Sequence, residues 1–225
     1  MATFLIYFAI ITIIPLWASL RVKNTYNKYL NVPTSTSMTG YETARKILDA
    51  NGLYDVRVEE GRGFLSDHYD PRAKVVRLSP ENFHGHSLAA TAVAAHEVGH
   101  ALQDQEEYAF LKFRSALVPV ANLGSNLSYI LIIIGIIFTF TELAVVGLIF
   151  MLFAVLFQVV TLPVEFNASS RAMNQVVALG IIRNDEERGA RKVLNAAALT
   201  YVAAAVVALL ELLRFALIIF ASNDD

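Results

Sequence analysis

The chain has 225 residues, and its hydrophobic content of 56% is above the share usual for soluble globular proteins. The formal net charge of −2 gives no sign of a nucleic-acid-binding surface. Because the sequence contains no cysteine, it excludes disulfides, thiolate metal sites and a cysteine nucleophile, so nitrogen and oxygen atoms must hold any bound metal.

The chain begins with an apolar segment that is long enough to cross a membrane. Residues 4–20 carry no charge, and this length is close to the minimum for a transmembrane helix. No basic residue precedes the segment, whereas Arg21, Lys23 and Lys28 follow it, so it differs from a cleavable signal peptide. We therefore predict an uncleaved transmembrane helix with its N-terminus outside.

Residues 21–116 form a predicted soluble part. YETARKILDANG (41–52) has the pattern of a short helix that Gly52 ends, and Thr39 is one candidate for its N-terminal cap.

Two strands and a long helix follow in the same part. LYDVRVEE (53–60) and AKVVRLSP (73–80) alternate apolar and polar residues, which predicts strands. Glycines and an Asp-Pro pair between them are typical of turns. The long helix is expected to start near Ser87 and to run past Gln103.

The long helix contains HEVGH, residues 96–100. Successive residues of a helix are about 100° apart, so His96 and His100 share one face, where both imidazoles can reach one zinc ion. Glu97 stands beside them and is the candidate general base that takes the proton of an attacking water. Gly99 is an unfavourable helix residue and indicates a close approach to a neighbouring strand or ligand.

Three further transmembrane helices are predicted, at 117–140, 143–163 and 196–220. Of the 18 basic residues, twelve lie between the first and second spans, five lie between the third and fourth, and Arg214 lies within the fourth. Basic residues favour the cytoplasmic side, so this distribution predicts that the soluble part faces the cytoplasm.

A catalytic zinc site usually has three protein ligands, so a third is needed. Glu165 is the favoured candidate because residues 164–195 can form a helix that returns from the membrane beside the motif helix. Asp104, one turn after His100, is a weaker candidate. The remaining histidines all lie upstream of the motif helix, at His68, His84 and His86.

Three blocks of the sequence together resemble the YugP-like membrane zinc metallopeptidases: DHYDPRAKVVRLSP, AAHEVGHALQ and EFNASSRA. These proteins look like relatives of the HtpX and CAAX-prenyl membrane proteases and share a gluzincin-type plan. The resemblance implies a mainly α membrane protein, with about four transmembrane helices and a small α+β peptidase domain. It also implies His96, His100 and Glu165 as zinc ligands and Glu97 as catalytic base. Ser169 departs from the plan, because gluzincins often have an aspartate there that orients a zinc histidine.

We therefore expect a membrane-embedded zinc endopeptidase that acts on proteins or peptides, some of them membrane-associated, and does not bind nucleic acid. Its expected location is the bacterial plasma membrane, with the active site facing the cytoplasm. Two alternatives remain. The first is a non-catalytic zinc-stabilised scaffold or adaptor, whose function would not change when Glu97 is replaced. The second is a transporter in which the HEVGH motif occurs by chance and binds no metal.

The roles of several other residues stay open at this point. The family plan implies that an edge strand pairs with the substrate backbone, and segment 56–66 or 74–79 could do so. Nearby candidates for substrate contact or turn packing are His68, Tyr69 and Arg72. Glu211 and Arg214, three residues apart in the fourth span, are close enough to pair.

Overall fold

The computed structural model describes residues 2–221, and 76% of the chain is helical. Together with a small three-stranded sheet, this confirms the predicted mainly α class with a small α+β region. In chain order the elements are α1 (Ala2–Leu30), α2 (Gly40–Ala50), β1 (Arg57–Glu60), β2 (His68–Asp70), β3 (Val75–Leu78), α3 (Pro80–His84), α4 (Leu88–Gln105), α5 (Ala109–Ile137), α6 (Thr141–Ala178) and α7 (Asn184–Ala221).

Four of these helices, α1, α5, α6 and α7, are long and apolar enough to cross a membrane, as predicted. They leave many large apolar side chains exposed, which lipid rather than water would cover. The predicted span at 143–163 is followed directly by the start of the predicted helix at 164–195, and α6 joins them without interruption through Pro163. Neighbouring helices can tolerate such a proline in a membrane helix.

The chain divides into two compact units. Ala18–Tyr108 and Val164–Leu199 form one, here called the motif unit because it contains residues 96–100. Met1–Trp17, Ala109–Pro163 and Thr200–Asp225 form the other, here called the apolar unit.

The sheet of the motif unit has the strand order β1-β3-β2. β1 runs parallel to β3, with Val58 opposite Val76, and β2 runs antiparallel to it, with Tyr69 opposite Val76. The two predicted strands are confirmed as β1 and β3, whereas β2 lies in the segment that the turn residues predicted to be a loop. Because β3 has a neighbour on each side, only β1 and β2 have free edges.

Side-chain caps fix the starts of α2 and α4. Thr39 and Glu42 form a reciprocal capping box, in which the Thr39 hydroxyl accepts from the Glu42 amide at 3.0 Å and the Glu42 carboxylate accepts from the Thr39 amide at 2.8 Å. The Ser87 hydroxyl accepts from the Ala90 amide at 3.1 Å and caps α4. The predicted cap of α2 by Thr39 and the predicted start of α4 near Ser87 are confirmed.

The core of the motif unit surrounds α4. Its apolar side chains come mainly from α2, the sheet, α4, the part of α6 that follows Pro163 and the beginning of α7. Ile47, Leu48, Val76, Leu78 and Val98 are fully buried there. The motif helix is thus packed on several sides, which fixes the direction of the side chains that it presents to α6.

In the apolar unit, glycines allow α5 and α6 to pack closely. A Cβ atom at Gly124 would lie 2.5 Å from the Phe150 carbonyl oxygen, and one at Gly135 would lie 2.5 Å from the Ala144 nitrogen. Small residues at such contacts are typical of helix pairs in membranes, because they let the two backbones approach.

An aromatic ring accompanies the charge of Arg214 in the same unit. The guanidinium carbon lies 4.5 Å from the centre of the Tyr7 ring, which is within the range of a cation–π interaction. The Tyr7 ring is thus one partner of the Arg214 charge, and the pairing of Arg214 with Glu211 stays a prediction.

Candidate metal centre

Two histidines of α4 form one side of the site. His96 and His100 are separated by one helical turn, and their ring centres lie 4.8 Å apart with the ring planes at 84°. Their side chains are only 14% and 12% exposed. The spacing that predicted a shared face therefore places both imidazoles together in a largely buried position.

Glu165 of α6 completes the group. Its Oε2 atom lies 3.2 Å from Nε2 of His96 and 3.6 Å from Nε2 of His100, and its side chain is 4% exposed. One ligand atom from each of the three residues lies within 4.8 Å of the others. Asp104, the weaker candidate, lies outside this group, since its carboxylate accepts from Tyr69 at 2.8 Å and from Lys74 at 2.7 Å.

Gly99 explains how α6 comes close enough to α4. A Cβ atom at this position would lie 2.4 Å from the carbonyl oxygen of Ala168. The sequence predicted a close approach to a strand or ligand, and the neighbour is instead the backbone of α6. Because Ala168 is three residues after Glu165, the same contact sets the distance between the carboxylate and the histidines.

The other nitrogen of each imidazole has its own polar partner. Nδ1 of His96 lies 3.1 Å from the Ser169 hydroxyl, and Nδ1 of His100 lies 3.0 Å from Oε1 of Gln103. Since the Gln103 oxygen can only accept, it takes a hydrogen bond from the N–H at Nδ1 of His100, and Nε2 is the nitrogen that faces Glu165. This is the arrangement that a metal-binding histidine needs, with the second nitrogen fixed by a hydrogen bond.

Gln103 is the residue of the site that the sequence analysis missed. It is fully buried, and its amide nitrogen donates to the Val164 carbonyl oxygen at 2.8 Å and to Oδ1 of Asn167 at 2.9 Å. It thus links His100 to α6 on either side of Glu165. Its position three residues after His100 was an available signal, because residues three apart share a helix face.

Ser169 stands where the resemblance implied an aspartate that orients a histidine, and its hydroxyl reaches Nδ1 of His96. Asn167 is held in turn by Arg171, whose Nε donates to its Oδ1 at 2.7 Å. Arg171 also forms an ion pair of 2.6 Å with Glu106, just after α4. Polar side chains that follow Glu165 in α6 therefore support the site.

Glu97 is 8% exposed and lies next to the histidines in α4. Burial raises the pKa of Glu97 above its ordinary value, although His96 and His100 act in the opposite direction. For His100 burial disfavours the charged form, but hydrogen bonding to Glu165 and the charges of Glu97 and Glu165 outweigh it and raise the pKa of His100. Glu97 is thus buried and electrostatically coupled to His96, His100 and Glu165.

The other residues considered in the sequence analysis have partners elsewhere. Nδ1 of His68 lies 2.8 Å from the Ser66 carbonyl oxygen, His84 lies 3.2 Å from Glu60, and His86 lies 2.7 Å from the Ser37 carbonyl oxygen. All three histidines are exposed. Arg72 lies in the turn after β2, where its amide donates to the Asp70 carboxylate at 2.9 Å.

The donor set fits zinc. Two imidazole nitrogens and one carboxylate oxygen are the protein ligands of one common class of catalytic zinc site, in which a further position stays open to water. The imidazoles are oriented by Gln103 and Ser169, and the three ligand residues are largely buried. His96, His100 and Glu165 could therefore hold the ion, and the hydrogen bonds around them would keep the ligands in place.

Comparison with known proteins gives a consistent result. The family described as "Putative neutral zinc metallopeptidase" matches residues 4–220. The chain is 53% identical over 209 residues to "Putative membrane protease YugP" of Bacillus subtilis (strain 168), and the match covers 93% of each chain. No solved structure matches the chain. These findings confirm the resemblance that the three sequence blocks indicated, and the chain belongs to the neutral zinc metallopeptidase family.

Proposed function

We propose that this protein is a membrane-embedded endopeptidase that uses zinc, held by His96, His100 and Glu165, and Glu97 as general base. The observation that carries the proposal is the convergence of the Glu165 carboxylate on the Nε2 atoms of both histidines, at 3.2 and 3.6 Å. Family membership and the name of the 53% identical relative support zinc-dependent proteolysis.

A bound zinc ion would supply Lewis acidity, which polarises a peptide carbonyl and makes water more acidic. The carboxylate of Glu97 accepts the proton of the attacking water and then gives it to the departing amine nitrogen. Burial favours this second step, because it makes the protonated form of Glu97 easier to populate. Gln103 and Ser169 keep the imidazoles in fixed orientations throughout.

The substrate is a protein or peptide in an extended conformation. Segment 74–79 cannot pair with it, because β3 already has a neighbour on each side. Of the two free edges, that of β2 is favoured, because the Tyr69 hydroxyl binds Asp104 of α4 at 2.8 Å and places the strand beside the motif helix. A substrate segment added to this edge would gain main-chain hydrogen bonds, which recognise backbone rather than a particular sequence.

The bilayer is the second partner in this proposal. Four helices are apolar enough to cross a membrane, and the 53% identical relative is named a membrane protease. We place the protein in the bacterial plasma membrane with its active site on the cytoplasmic side. The sequence supports this orientation, because 17 of its 18 basic residues lie between the first and second or between the third and fourth spans.

Replacement of Glu97 by glutamine tests the proposed base, because the amide keeps the shape of the side chain but cannot take the proton. The variant should bind zinc in the same ratio as the unchanged chain while cleavage of casein falls by a factor on the order of 100 to 10,000. Glu60→Gln, an exposed glutamate beside His84, is the matched control and should retain full cleavage.

Undiminished cleavage by Glu97→Gln would exclude Glu97 as base. Zinc binding with no cleavage by the unchanged chain, under any condition that preserves its fold, would favour the scaffold alternative.

A further inference from the structure

A polar cavity apart from the candidate metal centre lies in the motif unit, between α1 and α7. Its volume is about 470 Å³, which is within the range of small-molecule sites. Arg21, Asn24 and Lys28 of α1 face it from one side, and Lys192 and Asn195 of α7 face it from the other. None of its lining residues is a residue of the candidate metal centre.

The lining of this cavity is suited to an anion. Three of its side chains are cationic, two are amides, and no aspartate or glutamate is among the described residues that line it. Arg21, Lys28 and Lys192 are exposed, and no ion pair is seen for them in the part of the chain that the structure describes. Like charges that converge without a carboxylate repel one another, and an anionic ligand would remove this repulsion.

The two walls of the cavity are held close together at one end. A Cβ atom at Gly189 of α7 would lie 2.9 Å from the Tyr29 ring of α1 and 2.4 Å from Leu88, the first residue of α4. The spacing between the cationic side chains therefore depends on close packing and not on the side chains alone.

The position of the cavity along both helices points to the membrane boundary. Arg21 is the first residue after the apolar segment 4–20, and Leu199 lies a few residues into the predicted span 196–220. Along each helix the cavity thus extends from the end of the apolar segment toward the polar part of the chain. Phosphate groups of lipids lie at this depth in a bilayer, and basic pockets between membrane helices bind such headgroups.

We propose that this cavity binds a phosphate group, supplied by the headgroup of an anionic phospholipid or by free phosphate. Arg21 contributes a planar, two-pronged donor, and Lys28 and Lys192 contribute compact ammonium charges. Asn24 and Asn195 add amide donors that can bind the remaining oxygens. The proposal concerns binding that is separate from the zinc centre, so it can fail while the proposed peptidase function stands, and the reverse is also true.

Native mass spectrometry of the purified full-length chain in detergent tests the proposal. We expect phosphatidylglycerol to bind on the order of 100-fold more tightly than phosphatidylcholine, since about 1 kcal/mol for each of three basic residues corresponds to this factor. Competition with inorganic phosphate distinguishes the sources. Displacement of phosphatidylglycerol by millimolar phosphate supports the cavity as a general phosphate site, and resistance to it supports a lipid headgroup as the natural ligand.

A triple variant, Arg21→Gln, Lys28→Gln and Lys192→Gln, should lose most of this preference. The matched control removes one arginine and two lysines that are exposed on the same unit but do not line the cavity: Lys23→Gln, Lys46→Gln and Arg188→Gln. The control should keep the preference within about threefold.

Asn195→Asp provides a test that keeps every basic residue. It adds a carboxylate to the cavity wall and should weaken phosphatidylglycerol binding at least fivefold, by roughly the effect of one charge. Equal affinity of the unchanged chain for the two lipids, or an equal loss in the cavity variant and its control, would overturn the proposal.

Discussion

Replacement of Gly99 by alanine should damage the metal centre without removing any of its ligands. The new Cβ atom would lie 2.4 Å from the Ala168 carbonyl oxygen, whereas ordinary contact begins near 3.4 Å, so α4 and α6 must separate by about 1 Å. Zinc ligand distances tolerate changes of only about 0.2 Å. A separation of this size moves Glu165 away from both histidines, and we expect zinc affinity to fall at least tenfold.

The effect of the same change on stability is smaller and mixed. Overpacking of this kind costs about 1–3 kcal/mol, while alanine is about 1 kcal/mol better than glycine inside a helix. The free energy of unfolding should therefore fall by roughly 0–2 kcal/mol. A large loss of zinc affinity with a small loss of stability is the signature that distinguishes displaced ligands from general unfolding.

Chelator competition measures the zinc affinity, and thermal unfolding in the same detergent measures the stability. Gly61→Ala is the control, because a Cβ atom there would meet its nearest neighbour, the Leu78 carbonyl oxygen, at an ordinary 3.4 Å. If Gly99→Ala binds zinc as tightly as the unchanged chain, the close contact between α4 and α6 does not set the position of Glu165.

Two further substitutions test other parts of the structure. Gln103→Leu removes the acceptor for His100 and leaves a buried carbonyl oxygen of α6 without this donor, so zinc affinity should fall about 10–100-fold in a chelator titration. Gln105→Leu, two residues later and exposed, should bind zinc normally, and an equal loss in both variants would refute the role of Gln103. Thr39→Ala breaks the capping box of α2 and should lower the free energy of unfolding by about 1 kcal/mol. Zinc affinity should stay unchanged, and a loss of zinc affinity in this variant would contradict a purely structural role of the cap.

Local patterns predicted much of the fold. The apolar segments identified four helices that can cross a membrane, because composition and length alone determine this property. The i, i+4 spacing placed His96 and His100 on one face of α4, and helix geometry needs nothing else to do so. The Thr39 cap was likewise visible in the sequence, because its partner Glu42 is only three residues away.

Glu165 was predicted by a topological argument. A predicted membrane hairpin that starts and ends on one side would return the chain to the motif helix, so the first carboxylate after it was the favoured third ligand. The structure brings this carboxylate to both imidazoles. The sequence alone could not predict the distance between the Glu165 carboxylate and the imidazoles, because this distance depends on the contact between Gly99 and the backbone of α6.

What the sequence could not show were pairings between distant segments. The spacing of Gln103 from His100 was visible in the sequence, but its two partners on α6, 61 and 64 residues away, were not. The strand β2 is three residues long and forms only through pairing with β3, so its turn-forming neighbours dominated the local pattern. The predicted span at 143–163 and the start of the predicted helix at 164–195 are joined in one helix, α6, because a membrane helix can tolerate Pro163 when its neighbours support it.

X-ray absorption at the zinc K-edge of the purified chain tests the central claim most directly. We predict a first shell of nitrogen and oxygen ligands at roughly 2.0–2.1 Å with two imidazoles and no sulfur. Glu165→Ala should lower the bound zinc, or at the least alter this shell. A chain that retains its full zinc content and an unchanged spectrum after this substitution would show that Glu165 does not hold the metal.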